Sequence, residues 1–359
     1  MKIIDLYIIK KFLGTFVYAI SLLIIVVIIF DISENLDEFL EHKAPFNEII
    51  FSYYINFIPY FINLFIYLFT FISVIFFTSK LAGNTEIIAF LSSGISFYRF
   101  LRPYFISAVF LALVSFYLAN FLIPQTNEKR RIFKDRYMEN LKKTKDRHIH
   151  LQMVPGTFAY VDNFNVNSNV GTKFSLEKFK DHRLYYKLNA ERLRWDSADN
   201  RWAIEDYYIR KIDENGVETL IKGEKIDTTL ALKPSDFYFY KEDFEEMNYW
   251  ELNQRIAEER LKGSEKVKEY EVEQSKRFAS PFATLVMTLI GVSLSSRKMR
   301  GGIGIHLGLG IGITFTYILF MQISTVFATL GTLSADLAAW IPNIIFFVIG
   351  LILLKYAPK

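Results

Sequence analysis

Six stretches of this chain contain no Asp, Glu, Lys or Arg: residues 12–30, 49–79, 103–127, 278–296, 301–335 and 337–354. A helix rises about 1.5 Å per residue, so roughly 20 apolar residues cross about 30 Å of hydrocarbon. Each stretch is long enough, or nearly so, to cross a bilayer. They fall three and three around a polar block. The expected fold class is a membrane α-helical protein of six transmembrane helices with an inserted all-β domain. Residues 1–127 hold spans one to three, with a short helix near 84–94. Residues 128–277 form the inserted domain, and residues 278–359 hold spans four to six.

Composition narrows the chemistry. A soluble protein has no use for six such runs, in a chain with 35 Phe and 52% hydrophobic residues. A net charge of +4 over 359 residues gives no reason to expect nucleic acid as a partner. The absence of cysteine excludes disulfides, thiolate catalysis and Cys-ligated metals. The first apolar run has no small-residue cleavage site after it, so it is expected to stay as an anchor.

Charge in the short connections predicts orientation. Lys2, Lys10, Lys11, Lys80, Arg99, Arg102, Arg297, Lys298, Arg300, Lys355 and Lys359 all fall on one side if the six runs span. The other side has Asp31, Glu34, Asp37, Glu38, Glu41 and Glu48 against Lys43 in the first connection. The positive-inside rule then puts both termini in the cytoplasm and exports the large block. In a Gram-negative cell the block is periplasmic and the membrane is the inner one.

Within the block, residues 128–147 are charged and helix-compatible. Alternation over 151–154, 157–164, 174–179, 184–195, 202–212 and 218–232 reads as strands. Pro155-Gly156, residues 163–171 and 197–200, and Asn215-Gly216 punctuate them. Strands of this length over about 148–240 predict a sandwich or jellyroll. Residues 248–277 read as a helical return, with Asn248 as N-cap, Glu251 three residues on, and a break at Gly263. Period-2 patterning alone does not separate a lumen from a core.

Catalytic motifs are missing: no H-E-x-x-H, G-x-S-x-G or Walker A. His148 and His150 share one strand face, but exposed loop-edge histidines are the simpler account, and no metal site is assigned. His306 reads as an interfacial or packed residue. The polar groups expected inside the spans are neutral: Asn56, Asn63, Gln322 and Asn343. Ion-coupled transporters place an ionisable group at mid-depth. If the chain moves something, the energy is expected to arrive from another protein, and no cofactor of its own is expected.

The largest place to receive that power is residues 80–102, which begin KLAGNTEIIAFLSSGISFYR. Asn84 or Thr85 can cap a short helix, Glu86 suits its N-terminal end, and Gly94 stops it. Ile87, Ile88, Phe90 and Leu91 give it an apolar face, for headgroups or for a partner's groove. Gly304, Gly308 and Gly312 lie four apart on one face of the fifth span, a spacing for close packing within the chain or between subunits. Lys129, Arg130, Arg131, Lys134 and Arg136 follow the third span. They form either a solvated face or a set of cations that meets an anionic lipid headgroup.

Several local patterns in order give a resemblance. They begin with Asp5, Tyr7, Ile8, Lys10 and Phe12, and continue with Lys80-Leu81, Glu86, Ala89, Ser93-Gly94-Ile95-Ser96, Arg99 and Pro103. Ile123-Pro124, Ser280-Pro281-Phe282, Gly291, Arg300 with Gly301-Gly302, and Ala339-Trp340-Ile341-Pro342-Asn343 complete them. With the 3+3 layout, the chain resembles the LptF/LptG permeases of lipopolysaccharide export over essentially its whole length, with a slight lean to the G-type.

The resemblance implies a permease subunit of an ABC transporter, six spans and a periplasmic β-jellyroll. It implies pairing with a paralogous permease subunit and drive by a cytoplasmic LptB-like ATPase dimer, so that hydrolysis belongs to the partner. It implies extraction of lipopolysaccharide and delivery to a periplasmic LptC/LptA-like bridge. Glu86, Ile87, Phe90, Leu91 and Gly94 then become the ATPase-coupling residues. Lys43, Lys129, Arg130, Arg131 and Arg136 become headgroup candidates, and Phe158, Tyr160 and Phe174 become candidates to line an acyl path. The departure from the pattern is acidic: Asp31, Glu34, Asp37 and Glu38 stand where some G-type members carry basic residues. A non-transporting scaffold or mechanotransmission protein driven by an ATPase is the alternative. An intramembrane lipid enzyme is disfavoured by the lack of buried acid–base groups.

Overall fold

The structure, a computed structural model, describes residues 3–138, 142–144, 148–166, 168–197, 199–213, 216–240, 243–261, 263–264, 266–297 and 302–357. Lys2, Arg147, Asn215, Lys298, Arg300, Gly301 and Lys359 therefore lie outside the described residues. The chain divides into two compact units. One comprises Met1–Glu139, Glu245–Trp250 and Lys268–Lys359; the other comprises Asn140–Phe244 and Glu251–Val267.

The first unit is helical. Its long helices are α1 (Ile3–Glu41) and α2 (Phe46–Gly83), then, after short α3 (Glu86–Ser92), α4 (Phe97–Tyr137). After α5 (Tyr249–Leu261), a return helix that belongs to the second unit from Glu251 on, come α6 (Val267–Ser295), α7 (Gly302–Thr329) and α8 (Ala335–Lys355). Among the described residues, six helices are long and apolar enough to cross a membrane. By parity, both termini and α3 share one end of the bundle.

Burial follows the helical period. α1 buries Ile8, Phe12, Phe16, Ile20 and Ile24, one residue every turn, and exposes Val17, Leu22 and Ile25 between them. A single buried ridge with greasy flanks is what a helix at the lipid boundary needs. α6 is enclosed instead; its hydrophobic stretch is the most buried of the six. α2 packs between α6 and α7 because glycine makes room. A Cβ on Gly291 would stand 2.8 Å from Val74 and 3.1 Å from Phe71, and one on Gly310 would overlap Ile75. On α8, a Cβ on Gly350 would stand 2.9 Å from Leu289.

Two of the described spans carry a widened turn. α2 contains a π turn at Ile49–Tyr54 and α4 another at Leu118–Leu122. A proline follows each one closely, Pro59 and Pro124. A proline ring displaces the carbonyl four residues back and supplies no N–H, so a wide turn there relieves the clash. Asparagine amides take up the loosened carbonyls. Asn56 Nδ2 donates to Phe51 O and Ser52 O at 3.0 and 2.9 Å, and Asn120 Nδ2 donates to Phe116 O at 3.0 Å.

Neutral hydrogen bonds tie the spans together. Thr78 Oγ1 donates to the Tyr104 hydroxyl at 3.0 Å, and Ser115 Oγ donates to Asn63 Oδ1 at 2.7 Å. Tyr317 donates to Asn343 Oδ1 at 3.0 Å, and Asn343 Nδ2 donates to Ala279 O at 2.9 Å. Of the four amides expected inside, Asn56 and Asn343 are buried and Asn63 is half-buried, whereas Gln322 is exposed. Its helix turns it to the wall of a cavity described below. His306 is buried and its Nε2 lies 3.2 Å from Arg297 O.

The second unit is all-β, apart from a helical return. A two-stranded sheet pairs β1 (Lys142–Thr144) with β9 (Tyr238–Tyr240). The main antiparallel sheet contains β2 (Ile149–Val154), β3 (Thr157–Val161), β4 (Asn163–Asn165), β5 (Val170–Lys180), β6 (Arg183–Asp196), β7 (Arg201–Ile212) and β8 (Glu218–Thr228). The expected jellyroll is thus all-β, but the main sheet's order is β2-β3-β5-β6-β7-β8, with β4 beside β5. That is a meander, because tight turns pair each strand with its sequence neighbour. Phe164, Phe174, Leu193, Trp202 and Phe237 centre its core, and Trp202 Nε1 donates to Leu232 O at 2.8 Å.

One row of this sheet drops out of the ladders. Lys173, Glu191, Asp206 and Glu224 face one another across β5, β6, β7 and β8, and none is paired, yet the register is unchanged on both sides. Lys173 and Asp206 have positive φ, 52° each. The row is a crease. It shifts the burial alternation by one residue: β6 buries Leu188 and Ala190 before it and Leu193 after it, with Glu191 and Arg192 both turned outward.

Candidate functional site

α3 begins and ends sharply. Thr85, before its first turn, has φ 63°, and neither Asn84 nor Thr85 caps the helix through its side chain, contrary to expectation. Asn84 Nδ2 instead donates to Glu86 Oε1 at 3.1 Å, and Thr85 Oγ1 donates to Asn84 O at 2.6 Å. The other end behaves as the sequence predicts. Gly94 has φ +83°, its N–H donates to Leu91 O, and Ile95 N–H donates to Phe90 O. This pair of bonds is a Schellman closure, which glycine permits because it has no Cβ.

The faces of α3 do not divide as the apolar pattern predicts. Ile87 is buried, and Phe90 and Leu91 pack partly against the same cluster, with Leu81, Phe97, Phe100 and Leu101. Phe90 stands 6.0 Å from the Phe100 ring. These three residues hold α3 to its own chain. The outward surface is Ile88, 58% exposed, with Ala89 and Ser92, while Glu86 is half-buried at the edge. Sequence periodicity places Ile88 with the buried set because a seven-residue helix offers under two turns to define a stripe.

A pair that no sequence motif links closes this region. Arg99 Nη1 and Nη2 donate to Asp5 Oδ1 and Oδ2, each at 2.7 Å, across 94 residues. Asp5 is buried. Each residue belongs to a different local pattern, and only the packing of α1 against α4 brings them together.

A cavity of about 290 Å³ opens among α2, α4, α6 and α7, in the half of the bundle away from the termini. Tyr60, Asn63, Tyr67, Lys276, Tyr317 and Gln322 contribute to its wall. Glu245, Glu273 and Arg277 also line it. Arg277 is buried and engaged: Nε donates to Glu273 Oε1 at 3.1 Å and Nη1 donates to Met247 O at 2.6 Å. No local motif announces this lining; it draws on four helices far apart in sequence.

At the same end of the bundle the cations have partners. Arg131 Nε donates to Glu246 Oε2 at 2.7 Å and its Nη1 to Asp135 Oδ2 at 3.2 Å; Arg136 pairs with Glu48 at 3.3 Å. Arg130 lies over the rings of Phe57 and Tyr60, at 5.8 and 5.6 Å. Lys129 and Lys43 are exposed. Asp31 accepts from the Tyr53 and Tyr54 hydroxyls at 3.1 and 3.0 Å, so this acidic position ties α1 to the π turn of α2.

Gly304, Gly308 and Gly312 are not packing positions within the chain. A Cβ on any of them meets nothing within 4 Å. The internal contacts use Gly291, Gly310 and Gly350 instead, and the regular stripe lies on the opposite, exposed face of α7. In the β unit, Phe174 is buried in the core, while Phe158 and Tyr160 lie on the other face of β3 from Ala159 and Val161. The three acyl-path candidates therefore do not share a surface. His148 Nδ1 and the His150 ring both rest on Tyr160, at 2.8 Å from its hydroxyl and 4.7 Å between ring centroids.

No curated protein matches the chain. The family described as lipopolysaccharide export system permease LptF/LptG matches residues 6–356. That match does not separate the two types, so the lean to the G-type gains nothing from it. Six membrane-length helices, a β domain inserted between the third and fourth, and a match along nearly the whole length agree: the chain belongs to the LptF/LptG family of lipopolysaccharide export permeases.

Proposed function

We propose that the chain is the transmembrane subunit of an ATP-driven lipopolysaccharide exporter, powered through α3. The observation that carries this reading is the contrast between apolar spans without Asp, Glu, Lys or Arg and a short helix whose outer face, Ile88, Ala89 and Ser92, stays uncovered at the termini end. An ATPase dimer on the cytoplasmic side seats against that face. Glu86 supplies the polar contact at its edge. Gly94 holds the segment's shape, and Ile87, Phe90 and Leu91 pass the push inward.

A second, paralogous permease subunit packs on the open glycine face of α7. The cavity with Lys276 on its wall admits an anionic amphiphile from the outer leaflet, with Lys43 and Lys129 as further cations at the rim. The β unit receives the acyl chains in the periplasm and offers them to a bridge protein. β8 is the edge strand suited to that pairing, since its second side is unpaired among the described residues and Leu220 and Ile221 are exposed.

Reconstitution tests the reading. The chain, purified with whatever ATPase and permease accompany it, is placed in vesicles containing lipopolysaccharide. Lipid should appear on a photocrosslinker in the β unit only when ATP is supplied. Ile88→Asp should release the ATPase and reduce ATP-dependent transfer at least ten-fold. Transfer that proceeds without nucleotide, or an Ile88→Asp protein that keeps both ATPase and transfer, refutes it.

A further inference from the structure

The first turns of α1 meet the α3 segment at two points. Tyr7 lies within electrostatic reach of Glu86, the first residue of α3. Asp5 holds Arg99, just beyond the close of α3, through both carboxylate oxygens. Between these points Phe90 and Ile95 share a small crevice with Ile4, Asp5, Ile8 and Arg99. The segment is thus fastened to α1 beyond its C-terminal end and faces the same helix at its N-terminal end.

The chemistry of the second contact is directional. A bidentate guanidinium–carboxylate pair fixes angle as well as distance. Asp5 is buried, so separating the pair leaves an uncompensated charge away from water. Arg99 also sits in the first turn of α4, where a cation opposes the helix dipole. It gains nothing there from its own helix, and its benefit comes from Asp5.

The helix so gripped differs from its neighbours. α1 runs 39 residues without a proline or a wide turn. α2 and α4 each contain a π turn and proline. At the far end, Asp31 joins α1 to Tyr53 and Tyr54 of the α2 π turn.

We infer that Asp5, Tyr7 and Arg99 are positioning residues that clamp α3 to α1, so that displacement of α3 is delivered to α1 and carried along it to the Asp31–Tyr53–Tyr54 junction. The inference rests on α3 being the ATPase contact. It adds α1 as the element that moves with it.

The test uses the full assembly of chain, permease partner and ATPase in lipopolysaccharide-containing vesicles, reading ATP turnover and lipid transferred separately. Asp5→Asn, Arg99→Ala and Tyr7→Phe should retain the ATPase on purification and hydrolyse ATP within about two-fold of the parent. Lipid transferred per ATP should fall roughly ten-fold for the first two and less for the third. Asp5→Asn combined with Arg99→Ala should be no worse than either alone, since the two residues form one device. The exchange Asp5→Arg with Arg99→Asp should recover part of the yield.

A second readout does not depend on transfer. The chain has no cysteine, so spin labels can be placed at Ser93→Cys at the close of α3 and Ile29→Cys on α1, both exposed. Their separation should stay constant when nucleotide is added to the parent and change in Asp5→Asn. Parent-level lipid per ATP in Asp5→Asn and Arg99→Ala, or labels that separate equally with and without the clamp, overturns the inference. Ile88→Asp keeps the two readings apart: if it leaves ATPase binding untouched, the α3 contact fails first, whatever the clamp variants do.

Discussion

Glycine in this chain does two opposite jobs on one helix, and a single methyl-sized probe separates them. Gly310 faces inward, where Ile75 leaves no room for a Cβ; Gly308, two residues away, faces open space. Overpacking a tight core costs about 1–3 kcal/mol. Gly310→Leu should therefore lower the apparent melting temperature of the detergent-solubilised chain, measured by size-exclusion dispersity after heating. Gly308→Leu should leave it within error of the parent. The regular spacing of 304, 308 and 312 is visible in the sequence, but its direction is not. A stripe four residues apart says that three glycines share a face, and only the neighbouring helices decide which way that face looks. Asp5 and Arg99 are the converse case. Both stand in local patterns, yet no local pattern carries a pairing across 94 residues.

At the scale of elements, the legible features are those set by composition or by a backbone requirement. The spans are readable because little besides a hydrocarbon layer excludes charge over 18 or more residues. The Gly94 closure is readable because positive φ selects glycine. The return helix is too: Asn248 Oδ1 accepts from the N–H of Trp250 at 2.9 Å, the geometry of an N-cap. The crease is not. Alternation in the sequence reads as continuous through β5, β6 and β7, whereas each strand changes phase at Lys173, Glu191 or Asp206. A one-residue slip in period 2 exchanges the two faces. Phe158 and Phe174 part for a simpler reason: Phe158 pairs with Glu177, an odd number of residues from Phe174. Asp206 holds φ 52° at this row, a conformation that Asp tolerates and β-branched residues do not. Asp206→Val should cost ~1–2 kcal/mol, seen as earlier loss of the buried-tryptophan signal of Trp202 in urea. Asp206→Gly should cost little or nothing.

For the whole molecule, the two glycine sets imply that stability and assembly can be broken separately. Gly291, Gly310 and Gly350 secure the helices of one chain, while Gly304, Gly308 and Gly312 line an open face of α7, the proposed subunit contact. Gly308→Leu should give a well-folded chain that no longer co-purifies with a second permease subunit. Retained pairing, with the same yield of complex, would place the subunit contact on some other helix. Polar groups divide the same way. The spans join through neutral hydroxyl and amide pairs such as Thr78–Tyr104 and Tyr317–Asn343, whereas charged pairs gather toward the bundle's ends, at Asp5–Arg99 and Arg131–Glu246.

The unpaired row across β5 to β8 also bears on how the β unit could accommodate something bulky. Its ladders are intact on either side, and one apolar core spans both halves. Like pages about the spine of a book, the halves would change their mutual angle by backbone rotation at a few residues, without unzipping a strand. Such a change would draw on torsional give and on repacking of the shared core rather than on the hydrogen bonds that keep the sheet whole.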